Sequence, residues 1–225
     1  MKSINGKPLD NTKIALMNVA IRMFQQVGYD KTSLGKICSE IGIKGPAIYY
    51  HFKSKSDLLT CAYLYRMGGV LESHDKVSVD HVVEERLWMF VALHLHLQFG
   101  AYDEKNYEGP YFFGVPQLKL HCNEVEKNKL IEIQSDYVKE LRKILERGVD
   151  TKKFEINDIS SMTFAIFGMN NGAIYWYKKG GRSTMSEIAS MYADNAIRLV
   201  GCKHLDKREQ LLGLVDQVVK EHHTS

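Results

Sequence analysis

Between Leu34 and Phe52 the chain meets a set of conditions that few local structures satisfy together. Two short helices that cross closely need a small residue at their contact, and Cys38 supplies one. Four residues later the chain has to turn sharply, which favours a residue tolerant of positive φ, and Gly42 stands there. Ile37, Ile41, Ile43 and Ile48 place apolar side chains on both sides of that turn to close a small core. Pro46 opens the second of the two helices, where its missing N–H costs nothing. This is the pattern of a helix-turn-helix, a unit that sets a short helix against the major groove of DNA.

The rest of the chain also carries helical periodicity. A first helix starts with Asn11 or Thr12 as its cap, buries Leu16, Ala20, Met23, Phe24 and Val27 along one stripe, and ends at Gly28. The second follows Thr32 or Ser33. Ser54 and Asp57 form a variant capping box that opens a fourth helix, running to about Glu72. Longer helices are expected over 80–100, from Pro116 to about Arg147, from Asn157 or Asp158 to Tyr177, from Thr184 to near Gly201, and over 206–222. Gly148 is expected to break the longest of them, and Thr184 with Glu187 forms a capping box. Residues 100–116 hold three glycines, two prolines and five aromatics and are expected to form an irregular connection. With four prolines in 225 residues and no alternating strand pattern, the fold class is all-α, with about nine or ten helices.

Charge is unevenly placed. Residues 1–56 carry nine basic and three acidic side chains, net +6, whereas the other 169 residues carry 21 and 24, net −3. A small basic head on a mildly acidic body fits contact with a polyanion; a solvated basic face is the alternative. No apolar run approaches the roughly 20 residues of a membrane span, and the N-terminus lacks the apolar stretch of an export signal, so a cytoplasmic protein without membrane contact is expected. Cys38, Cys61, Cys122 and Cys202 are far apart and form no CxxC pair, which fits buried thiols in a reducing compartment. The chain contains no GxSxG, HExxH, Walker or Rossmann pattern, and no nucleophile–base pair, so it does not read as an enzyme, and no cofactor is expected.

The stretch AIRMFQQVGYDKTSLGKICSEIGIKGPAIYYHFKSKSDLL resembles the DNA-binding domain of TetR-family transcriptional regulators over about residues 12–60. Phe24, Gly28, Thr32-Ser33, Ile37, Gly42-Ile43, Ala47-Ile48-Tyr49, His51-Phe52 and Ser54-Lys55 carry the resemblance. It implies an N-terminal three-helix DNA-binding domain over 1–56 and a larger helical ligand-binding and dimerisation domain over 57–225. It also implies a homodimer on a double-stranded operator, acting as a repressor that a small-molecule effector releases. Lys44 and Gly45 depart from the family, which often has Ser and then a polar or basic residue there. Geometry assigns Lys44, Gly45, Pro46, Ala47 and Tyr50 to the base edges, and Thr32, Ser33, Tyr49, His51 and Lys55 to phosphates. Core packing is the alternative for Tyr49 and the expected role of Phe52; for Lys53, solvation and a phosphate contact stand level.

The segment FGMNNGAIYWYKKGGRSTMSEIASMYADNAIRLVG resembles a subset of these regulators associated with fatty-acid or acyl-CoA metabolism, matching at Asn171, Trp176-Tyr177, Gly180-Gly181 and Gly201. That resemblance implies a largely apolar effector such as a fatty acid or acyl-CoA. The aromatic-rich body offers Phe90, Tyr102, Tyr111, Phe112, Phe164, Phe167, Asn171 and Tyr175 as ligand-binding walls, or else as a filled core. Helices 158–177 and 184–200 are expected to pair with their copies, with Gly168, Gly172 and Ala173 permitting close approach. His94 and His96 point to different faces of one helix, which suits no metal site. Two other readings stay open: a multidrug-type sensor of the same fold, and a ligand-independent architectural DNA-binding protein.

Overall fold

The computed structural model describes residues 3–4, 7–78, 81–99, 119–178, 180–202 and 205–224. Among the described residues there are nine α-helices, and the fold is all-α. Among the described residues the one β element is a two-residue antiparallel ladder, Ser3–Ile4 with Lys7–Pro8, too short for any alternating pattern to reveal. The connection expected over 100–116, with Tyr102, Tyr111 and Phe112, lies outside the described residues. The chain forms two compact units, one from residues 1–69 and 102–135 and the other from 70–101 and 136–225.

The first unit is built on α1 (Asn11–Val27), α2 (Leu34–Glu40), a 3-10 turn (Gly45–Ala47) leading into α3 (Ile48–His51), and the first part of α4 (Lys55–Ser78). Asp10, rather than Asn11 or Thr12, caps α1: its carboxylate accepts the Lys13 N–H at 2.7 Å, and Asn11 is already the first helical residue. Ser33 caps α2 by accepting the Lys36 N–H at 3.2 Å. The sharp turn after α2 is closed by two bonds, from the Ile43 N–H to the Cys38 carbonyl at 3.0 Å and from the Gly42 N–H to the Ser39 carbonyl at 3.2 Å, with Gly42 at φ 73°. Cys38 is fully buried at the crossing, as its size requires, and its thiol approaches the Gly45 carbonyl at 3.7 Å. Leu16, Met17, Ala20, Phe24, Ile37, Ile48, Phe52 and Leu58 complete this core, and Cys122 and Leu130 belong to it as well.

The capping box of α4 differs slightly from expectation. Ser54 accepts the Asp57 N–H at 3.0 Å, but the Asp57 carboxylate accepts the Lys53 N–H at 2.9 Å and not that of Ser54 itself. The helix runs on to Ser78, past Glu72. A full capping box opens α6 (Glu124–Asp150): Asn123 accepts the Glu126 N–H at 3.0 Å while Glu126 accepts the Asn123 N–H at 2.8 Å. That box places the helix start well after Pro116.

In the second unit α5 (Val83–Phe99) packs against α7 (Ile159–Gly172), α8 (Met185–Leu199) and α9 (Arg208–Thr224). Leu87, Trp88, Met89, Val91, Ala92, Leu93 and Leu95 are all fully buried, the pattern of a helix apolar on every side. The Trp88 indole N–H donates to the Asp194 carboxylate at 2.9 Å, which also holds Arg208 at 3.0 Å, so the one polar atom of that ring is satisfied. Asp158 caps α7, and Thr184 with Glu187 forms the expected capping box on α8. The α7 helix ends at Gly172 and continues only as a 3-10 turn, Ala173–Tyr175. Gly148 does not break α6; it sits inside the helix against the buried ring of Phe154.

Candidate functional site

The exposed tip of the first unit is the segment from Lys44 to Tyr50. Lys44, Pro46, Ala47, Tyr49 and Tyr50 are exposed and Gly45 is half-buried. Ile48 and Phe52, on the opposite side of the same turn, are buried. The alternation follows from the shortness of the helix: one turn can present one face to the core and the other to solvent. Tyr49 is 64% exposed and Tyr50 86%, which places both aromatic rings outside the core and leaves Phe52 as the anchor.

Behind the tip, His51 lies 3.5 Å from the Asp10 carboxylate, whose other oxygen caps α1, so Asp10 links the two elements. Ser33 is exposed. Thr32 is not: it is 2% exposed, and its hydroxyl donates to the Gly28 carbonyl at 2.8 Å. Its role is to hold the α1–α2 turn together. The Lys55 ammonium donates to the Asp30 carbonyl at 3.4 Å and rests over the Tyr29 ring at 4.1 Å; partial burial lowers its pKa.

The basic head is less uniformly basic at its surface than its composition implies. Lys13 is buried over the Phe52 ring, and Arg22 is paired with Glu40 at 2.6 Å. Lys31, Lys36, Lys44 and Lys53 are exposed. Lys31 and Lys36 flank the Ser33 cap and escaped the assignment made from sequence; their positions beside a helix N-terminus were the available signal.

In the second unit Phe90 and Phe167 come together, ring centroids 6.1 Å apart, while Phe164, Asn171 and Tyr175 stand exposed away from them. The centre of this cluster is a residue that the sequence did not single out. The Tyr137 hydroxyl lies 2.7 Å from His94 Nδ1 and 3.1 Å from His74 Nε2. With one hydrogen, it donates to one imidazole and accepts from the other. Phe90 stacks on His74 at 4.3 Å. Burial, with His94 as a lesser cause, pushes the His74 pKa down to about 3, and burial raises that of Tyr137 well above its ordinary value. Both groups are therefore uncharged at neutral pH. The signal in the sequence was a tyrosine set in the apolar stripe Leu130, Tyr137, Leu141, Ile144. His96, on another face of α5, pairs with Asp216 at 3.7 Å. Among the described residues no helix is long and apolar enough to cross a membrane.

The family model of bacterial regulatory proteins of the tetR family matches residues 16–60, and that of the tetracyclin repressor-like C-terminal domain matches residues 110–200. The fatty acid metabolism regulator protein of Bacillus subtilis (strain 168) is 24% identical over 156 residues, 68% of this chain and 76% of that one. The crystal structure of the TetR-family transcriptional regulator PfmR from Thermus thermophilus superposes with a TM-score of 0.68 at 26% identity, covering 81% of this chain and 97% of the other. That of AibR in complex with isovaleryl coenzyme A and operator DNA gives a TM-score of 0.69 at 19% identity, covering 81% and 96%. An exposed recognition turn on a helix-turn-helix core, followed by an all-α second unit, defines a DNA-binding transcriptional regulator rather than an enzyme. The chain belongs to the TetR family.

Proposed function

We propose that the protein is a homodimeric repressor that a largely apolar acyl compound, a fatty acid or acyl-CoA, releases from its operator. The observation that carries the reading is the tip Lys44–Tyr50, exposed on a core that fixes it from behind through Ile48 and Phe52. Lys44, Gly45, Pro46, Ala47 and Tyr50 meet base edges; Ser33, Tyr49, His51 and Lys55, with Lys31 and Lys36, meet phosphates. One such turn reads too few bases to be selective, so two copies are required. Exposed apolar side chains on α7 and α8 support a dimer through these helices: Phe164 is 60% exposed, Met191 48% and Leu199 47%. In this reading the head is residues 1–56 and the effector-binding and dimerising body 57–225.

The acyl assignment draws on the name of the Bacillus subtilis relative and the ligand of AibR. It is supported by the aromatic cluster of Phe90, Phe167 and Tyr137, whose polar groups are uncharged. An effector that favours one arrangement of the dimer's recognition helices by roughly 1–3 kcal/mol weakens operator affinity about 5- to 150-fold. The test is to select a duplex from a random library with the purified protein, then titrate fatty acids and acyl-CoAs against the complex. Operator binding that falls steeply with salt and is relieved by an acyl compound is the expected result. Relief only by unrelated cationic or polycyclic compounds rejects the acyl assignment.

A further inference from the structure

Among the described residues of the second unit several buried polar atoms depart from the rule that such groups are paired, and Asn170 is the residue with both its side-chain nitrogen and its oxygen among them. Asn170 is fully enclosed, and among the described residues neither its amide nitrogen nor its carbonyl oxygen has a hydrogen-bond partner. It shares the buried face of α7 with Thr163, Ile166 and Phe167. Thr163 on that face is satisfied, donating to the Ile159 carbonyl at 2.6 Å. A leucine would fill the position of Asn170 without the penalty of a desolvated amide. The side chain therefore holds two donors and an acceptor that no part of the described chain uses.

Its surroundings narrow what could use them. Phe167, one turn earlier on the same face, packs against Phe90, His94 and Tyr137. That cluster is aromatic, and among the described residues its polar groups joined by these bonds are two imidazoles and a phenol. A small pocket lined partly by His74 and Phe90 carries Arg86, but Asp75 and Glu140 line it too, so it offers a carboxylate no net positive charge. A free carboxylate entering this region gives up its hydration without gaining a cation. The carbonyl of an ester, thioester or amide needs only one N–H donor.

We propose that Asn170 is the specificity-determining contact of the effector site, its side-chain N–H donating to the carbonyl oxygen of a neutral acyl derivative, and that the site discriminates against the free acid. This rests on the effector-responsive reading above. The test uses a chain-length series of fatty acids and the matching N-acetylcysteamine thioesters against the full-length protein on its selected operator. Release is read by fluorescence anisotropy and unliganded stability by thermal melting. Wild-type protein should be released by a thioester at about one-tenth the concentration needed of the matching acid, the factor that one net hydrogen bond supplies. Asn170→Leu should keep operator binding, melt at a higher temperature than wild type without ligand, and respond to the thioester about tenfold more weakly. Where that variant fails to bind operator, Asn170→Ala removes the amide without adding bulk and gives the same readout. An unchanged thioester response in either variant overturns the proposal. Acids that act as well as thioesters on wild type overturn it while leaving the effector reading intact. Release by neither class overturns the effector reading, and this inference with it.

Discussion

The imidazole of His121 stacks on the phenol of Tyr29, ring centroids 4.1 Å apart and 27° from parallel. Lys55 also rests on the Tyr29 ring, and the Asp30 carboxylate lies 4.0 Å from His121 Nδ1. Three chain segments thus meet on the α1–α2 turn: the turn itself, the start of α4, and the residues just before α6. Burial, helped by the negative potential of Glu126 and Asp30, pushes the Tyr29 pKa up to about 12, so the phenol stays protonated in working conditions. The same turn is pinned from inside by the Thr32 hydroxyl. Its neighbour Ser33 opens α2, so the placement of α2 depends on what holds Tyr29.

His121→Ala should therefore cost stability and operator affinity together. An aromatic pair of this geometry contributes about 0.5–1.5 kcal/mol. Urea unfolding should show a loss of that size, and His121→Phe should restore most of it. If His121→Ala leaves both the unfolding midpoint and the operator affinity unchanged, the stack supports nothing.

Tyr50 and Lys55 should separate cleanly. Tyr50 is 86% exposed, so Tyr50→Ala should leave stability within ~0.5 kcal/mol of wild type. Discrimination between operator and mismatched duplexes should fall by roughly 1–3 kcal/mol. Lys55→Ala removes a cation from the Tyr29 ring as well as the phosphate contact proposed for it. It should lower stability by about 0.5–1 kcal/mol, weaken all duplexes alike and flatten the salt dependence. Binding measured on matched and mismatched duplexes at two salt concentrations distinguishes the two outcomes.

The first unit was largely legible in the sequence, because its constraints are local. Cys38, Gly42 and Pro46 each meet a requirement of the backbone within a few residues. Thr32 shows the limit. A hydroxyl at a helix N-terminus suits a phosphate as well as a cap, and only the fold shows that it turns inward to the Gly28 carbonyl. In the second unit the relevant contacts join residues tens of positions apart. On α7 the sequence passes over Asn170 and points to Asn171 as a wall of the ligand site, a choice that does not rest on the apolar stripe. The structure buries the former and exposes the latter. His74 and Tyr137 are 63 residues apart in sequence, and no periodicity links them.

The buried imidazole of His74 gives a pH dependence of definite sign. Its pKa in the folded protein is about 3, against about 6.5 in an unfolded chain. Above the unfolded value both states hold a neutral ring and the group adds no slope. Below it the unfolded chain takes up a proton that the folded protein refuses, so stability falls as pH drops from about 6.5 towards 3, by up to ~1.4 kcal/mol per pH unit. Other groups titrate in this range, so the quantity to measure is the difference from His74→Gln. Between pH 7 and pH 5 the urea midpoint of wild type should fall more than that of the variant. Equal falls would mean that His74 is already charged or accessible in the folded protein.

Two helices end in the same hydrogen-bond pattern with different residues at its centre, and this yields the last prediction. At the end of α8 the Cys202 N–H donates to the Ile197 carbonyl at 3.1 Å and the Gly201 N–H to Arg198 at 3.1 Å, with Gly201 at φ 75°. At the end of α6 the Lys153 N–H donates to the Gly148 carbonyl at 2.8 Å and the Lys152 N–H to Val149 at 2.9 Å, with Lys152 at φ 58°. The glycine of α6 has been moved four residues back, into the helix. There it makes room: a Cβ on Gly148 would run into the ring of Phe154, which is 4% exposed. Gly148→Ala would gain about 1 kcal/mol of helix propensity but must displace a buried ring at about 1–3 kcal/mol, so a net loss is expected. Lys152→Gly should act the other way, relieving a left-handed lysine worth about 1–2 kcal/mol, less the entropy that glycine adds to the unfolded chain. Thermal melts of the two single variants should move in opposite directions, and Gly148→Ala combined with Phe154→Leu should recover part of the loss. A Gly148→Ala protein more stable than wild type would show that helix propensity outweighs the Phe154 contact.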